Sequence, residues 1–100
     1  MVEGKWDMLL KTPLGDRQLV LDAKENGNVL EGGFLSDSGE VILTIFEGSV
    51  EGDSFNFKVD FPVPDMGSFT FTLDGTVTGD SMSGKAMMAL GVCDFSAVRL

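Results

Sequence analysis

Apolar and polar residues alternate along most of this chain with a period of two, the mark of strands that bury one face. Over residues 4–11, Gly4, Trp6, Met8 and Leu10 share one side while Lys5, Asp7, Leu9 and Lys11 share the other. Thr12-Pro13-Leu14-Gly15-Asp16 then reads as a turn, Pro13 presetting φ and Gly15 supplying a positive one. A second strand over 17–24 turns Leu19, Leu21 and Ala23 inward and ends at Asn26-Gly27, a strong hairpin signal. The third, 28–35, puts Leu30, Gly32 and Phe34 on the inner face and turns at Ser36-Asp37-Ser38-Gly39.

Residues 41–50 are harder to place, because Val41-Ile42-Leu43-Thr44-Ile45-Phe46 is apolar on both faces. Counting back from Val50 puts Phe46 and Gly48 inward, with Thr44 on the same parity; a bulge near Gly48 would flip that assignment. The next strand is clear, with Phe55, Phe57, Val59 and Phe61 inside and Ser54, Asn56, Lys58 and Asp60 outside. Pro62 to Gly67 reads as a loop. Phe69, Phe71, Leu73, Gly75 and Val77 then face inward against an outer row of threonines. Gly48-Ser49-Val50-Glu51-Gly52-Asp53-Ser54-Phe55 is echoed by Gly75-Thr76-Val77-Thr78-Gly79-Asp80-Ser81-Met82, which indicates a repeated hairpin. By that echo Met82, Gly84, Ala86 and Met88 point inward, overriding the helical propensity of Lys85 to Leu90. Gly91-Val92-Cys93 is expected to turn the chain into a last strand, 94–100, with Phe95, Ala97 and Arg99 inside.

Eight strands with short connections result, about twelve residues to each strand and its turn, and 100 residues make one domain. Gly4-Lys5-Trp6 in the first strand and Arg99 in the last give the chain a resemblance to lipocalin-like (calycin) barrels. More narrowly, it resembles a short bacterial module with Gly-x-Val-x-Gly-Asp hairpin repeats. The resemblance spans the whole chain and implies an all-β, eight-stranded antiparallel up-and-down barrel with no significant helix. It also implies that Arg99 stacks on Trp6 to close one end, a structural role for both residues. The further lipocalin motifs between first and last strands are absent. In the alternative fold, a two-sheet sandwich, Trp6 and Arg99 would not touch.

Successive turns alternate between the two ends of such a barrel. The tight polar turns at Asn26-Gly27, Gly52-Asp53 and Gly79-Asp80 share an end with Trp6 and Arg99, and that end is closed. The opposite connections are longer and hold Leu14, Val63, Met66 and Val92, which marks a mouth. A barrel of eight strands either fills with its own side chains or holds one small ligand. The candidate ligand-binding set near the mouth is Leu10, Leu19, Phe34, Phe61, Phe69, Phe71, Met88 and Phe95, with Val59 and Ala86 beside them. Such a lining serves an adaptable pocket and a packed core equally well, so both readings stay open. The alternation leaves Arg99 as the inward charge, so any ligand is small and mostly apolar.

Composition then narrows the chemistry. Histidine and tyrosine are both absent, which removes histidine-based nucleophile systems and metal sites within one chain. No Cys-x-x-Cys, phosphate loop or calcium-loop spacing occurs, so neither metal nor cofactor is expected. Carboxylates remain: Asp16, Asp37, Asp60, Asp65 and Asp94 ring the expected mouth, most simply as solvated turn residues. Cys93, the single cysteine, reads as an inert thiol in a mouth loop and as a sign of a reducing compartment. With no apparent leader or membrane span, a cytoplasmic protein is expected. A net charge of −9 argues against nucleic acid.

Outward apolar residues suggest a second use. Leu9, Val20, Val29, Leu35, Met87, Val98 and Leu100 fall on five strands that are consecutive around a closed barrel. A one-sided stripe of this kind predicts association, as a homo-oligomer (a dimer) or with a partner domain. The expectation is thus a barrel that is not an enzyme and binds a small hydrophobic ligand inside. The alternative is an oligomerising or accessory module with a filled core.

Overall fold

The computed structural model describes residues 2–13, 15–63 and 65–100. Leu14 and Pro64, both assigned to mouth loops above, lie outside the described residues. Nine strand segments follow in order: β1 (Gly4–Thr12), β2 (Gly15–Asn26), β3 (Val29–Leu35), β4 (Val41–Thr44), β5 (Phe46–Glu51), β6 (Ser54–Val63), β7 (Gly67–Thr78), β8 (Ser81–Met88) and β9 (Gly91–Arg99). Every pairing is antiparallel; β3 pairs with both β4 and β5, and the other strands pair with their neighbours in sequence. Pairing of β1 with β9, Trp6 opposite Arg99, closes the ring. Since β4 and β5 are two halves of one interrupted strand, the molecule is a closed eight-stranded barrel. Among the described residues no helix forms, and none is long and apolar enough to cross a membrane.

The inner face is the one the alternation selects. Met8, Leu10, Leu21, Phe34, Phe57, Val59, Leu73 and Ala86 are wholly buried, and the buried set is entirely apolar. Full burial of each large side chain contributes roughly 1.5–3 kcal/mol, and that sum drives closure. Phenylalanine rings lean across the glycines to fill the interior. A Cβ on Gly75 would stand 2.7 Å from Phe95 Cζ and 2.9 Å from Phe55 Cζ.

Three expectations are corrected. Phe46 and Thr44 point outward, and Ile45, with Leu43 beside it, turns toward the core. An extra residue causes this. Glu47 adopts φ 49° in a register shift between Phe46 and Ser49, and the bulge flips the parity of everything before it. Gly48 keeps its inward place opposite the buried Leu30, whose backbone comes so close that a Cβ on Gly48 would meet Leu30 O at 2.2 Å. Secondly, the last turn is Ala89-Leu90 and not Gly91 to Cys93, because Met88 already pairs with Gly91 and Ala86 with Cys93. Cys93 therefore belongs to a strand. Thirdly, β2 begins at Gly15, two residues before the expected start, and pairs Arg17, which stays exposed, with Leu10 at the rim.

Candidate functional site

The two ends of the barrel offer different chemistry. At the closed end Trp6 is fully buried, and its indole N–H donates to the Val2 carbonyl at 2.8 Å. The Arg99 guanidinium carbon lies 4.2 Å from the centre of the Trp6 ring, within range of a cation–π attraction. Arg99 also donates from Nη1 to Glu3 O at 2.8 Å and sets Nε 3.3 Å from Asp80 Oδ1. The glycine two before the tryptophan is explained by the same contact: at φ 134°, a Cβ on Gly4 would stand 2.8 Å from Arg99 Nη1. The N-terminal segment is pinned by reciprocal caps. The Val2 and Glu3 amides donate to the Glu25 carboxylate, and the Glu25 amide donates to that of Glu3.

At the mouth the groups that meet are apolar. Leu10, Phe61 and Phe71 of the candidate set converge there with Val63, Thr12 and Arg17 around a cavity of about 10 Å³. That is roughly the space of one water molecule. Phe61 and Phe71 meet edge to face at 5.0 Å, and Phe61 leans on Phe34 at 5.6 Å. Phe34 and Phe95 sit deeper, inside the packed core, and do not line the cavity. Leu19, Phe69 and Met88 are half-buried against the core and do not line the cavity either. Arg17 borders the mouth cavity from the inner parity of β2 while remaining exposed at the rim.

Cys93 faces the same interior, its thiol donating to the Ala86 carbonyl at 3.6 Å. Burial, and then the neighbouring Asp94 charge, push that thiol above its ordinary range, which disfavours the reactive thiolate. The mouth carboxylates do not converge. Asp94 bonds Lys85, whose hydrogen bond and charge hold its carboxyl below the usual aspartate range. Asp60 accepts from Thr70 Oγ1 at 2.5 Å. Among the described residues no cluster of His, Cys, Asp or Glu could hold a metal ion.

The outer wall has relief of its own. A groove of about 440 Å³ runs along it, bordered by Leu9, Thr76, Ser83, Ser96 and Val98. Of the outward apolar residues named from sequence, Val29, Met87, Val98 and Leu100 are well exposed, whereas Leu9, Val20 and Leu35 are half-covered. Val41, Ile42 and Val92 are exposed as well, so the apolar surface extends past the expected stripe.

Sequence reasoning missed Val2, which is fully buried, and Arg17. Both carry the right signal: each continues an inner-face alternation two residues further back, Val2 before Gly4 and Arg17 before Leu19. No protein-family model, curated protein or solved structure matches the chain. Fold and site together define its class as a small closed antiparallel barrel with one end sealed by a tryptophan–arginine stack and an apolar mouth at the other.

Proposed function

We propose that this chain is a lipocalin-like, non-catalytic association module, working through its outer wall in the cytoplasm, where its lone thiol stays reduced. The observation that carries the reading is the filled interior: the phenylalanines and Trp6 occupy the barrel, and the mouth retains only about 10 Å³. A barrel so packed binds with its surface, and the exposed valines and methionine of β8, β9 and β3, with Leu100 just past β9, supply apolar contact. Sedimentation velocity from about 10 μM to 1 mM tests this, since association here rests on modest apolar area. A concentration-dependent rise in mass supports the reading; a monomer throughout rejects self-association and leaves a partner domain to be found.

A second reading is favoured by the mouth. Leu10, Phe61, Phe71 and Val63 form an apolar throat with Arg17 at its edge. A small hydrophobic molecule would enter by turning the Phe61 and Phe71 rings aside. Native mass spectrometry with a mixed apolar library tests it. One adduct per barrel, lost in Phe71→Trp, supports a ligand site.

A further inference from the structure

The outer face of the β8–β9 hairpin carries four rows of side chains. From the mouth downward these are Met87 beside Val92, Lys85 beside Asp94, Ser83 beside Ser96 and Ser81 beside Val98. The charged row continues on both flanks. Asp74 of β7 stands opposite Lys85, and Lys11 of β1 follows Asp94, one step past the last paired position of β1 with β9. Read across the strands, the belt runs Asp74, Lys85, Asp94, Lys11: minus, plus, minus, plus. Reversed about the midline of the hairpin it becomes plus, minus, plus, minus, so every charge meets its opposite. Two of the other three rows are matched as well, while the lowest sets Ser81 against Val98. Reversal sets Met87 against Val92, both exposed (40% and 63%), and Ser83 against Ser96.

A half-turn about an axis parallel to the strands and lying over that midline performs this reversal. We propose that a second copy of this chain docks on the outer face of β7, β8, β9 and β1, related by that two-fold axis. Lys85 then faces Asp94 of the second copy, and Asp74 faces its Lys11. The inference rests on the association reading above and names its partner and its surface. The occupant follows from charge. At −9, two copies repel one another over most of their surface, and they approach most easily where lysines and aspartates alternate in equal number. The contact is isologous, so each half supplies what the other needs. Four strands are half of the closed ring, so the face is convex and close contact centres on the β8–β9 hairpin, with the flanking Asp74 and Lys11 reaching in from the sides. It buries on the order of 800 Å² or less counting both copies, at or below the low end for specific interfaces. The dimer is therefore weak and loosens as salt screens the belt.

Two charge variants of the full chain test this. Lys11→Glu with Lys85→Glu makes the belt wholly negative, and Asp74→Lys with Asp94→Lys makes it wholly positive. All four positions are exposed, so far-UV circular dichroism should show the wild-type fold. By sedimentation velocity, each variant alone should self-associate at least tenfold more weakly than wild type, and an equimolar mixture should restore a one-to-one dimer. Should either variant fail to fold, Ser83→Arg, which props the faces apart at the short row, should bring the same tenfold loss. A wild-type dimer indifferent to these substitutions overturns this face and leaves association through another one. A wild-type monomer up to about 1 mM, where an affinity of about 4 kcal/mol would already show, overturns this inference and self-association together, and leaves only a partner domain for the outer wall.

Discussion

The sealed end and the mouth are built from the same strands, yet their contacts differ in kind. At the sealed end the plug is a tryptophan with a polar tip, and each polar group near it has a directional partner: indole N–H to Val2 O, guanidinium to Glu3 O and to Asp80, amides to the Glu3 and Glu25 carboxylates. Phenylalanines close the mouth instead, and shape alone fixes their rings. Directional contacts specify a single arrangement, whereas apolar packing tolerates several that fill the same volume. The teaching is that rigidity and adaptability can be divided between the ends of one small core by the choice of aromatic residue.

Substitutions at the two ends break or sharpen that contrast. Trp6→Ala should cost about 3–5 kcal/mol in denaturant unfolding, because a large buried side chain and its stacked cation lose each other. A cost no greater than that of a mouth phenylalanine would contradict the contrast. Gly75→Ala, between the ends, should cost about 1–3 kcal/mol by overpacking against Phe55 and Phe95, read as a lowered melting temperature. Arg99→Met keeps much of the side-chain bulk but removes the cation, and should cost about 1–2 kcal/mol. At the mouth, half-buried Phe69→Ala should cost only about 1 kcal/mol, with faster amide exchange confined to the upper parts of β6 and β7. Smallest is a pH effect. The folded state raises the Cys93 thiol, so native stability should fall slightly as pH rises through the range of an unfolded thiol. Cys93→Ser should flatten that slope, and iodoacetamide should modify the native thiol more slowly than the unfolded one.

Most strands were legible because one face is wet. In β6 and β7 hydroxyl and charged residues alternate with phenylalanines, so parity and register were readable from the chain. The interrupted strand was not, since Val41 to Phe46 is apolar on both sides and a bulge at Glu47, which only backbone conformation reveals, set its facing. Gly91 misled for a different reason. Its positive φ of 135° suits a turn, but the ladder from Met82 to Met88 extends far enough to place the reversal at Ala89-Leu90. The candidate mouth set was right in parity and blind to depth. Phe34 and Phe95 share the face of Phe61 and Phe71 but sit below them, and height along a barrel depends on strand stagger, which alternation does not encode.

The bond between Arg99 and Glu3 joins positions 96 apart in the chain, and this bears on the order in which the protein forms. Every other neighbouring pair of strands is a hairpin or a short connection and can zip locally, whereas β1 must wait for β9. Until then the growing sheet has two open edges, and Trp6 has no cation above it. Ring closure is therefore expected to be the late event in folding, and the whole process to fall in the millisecond-to-second regime of chains dominated by distant pairings. A chain whose β9 has yet to be synthesised would carry its hairpins ready-made and its clasp undone.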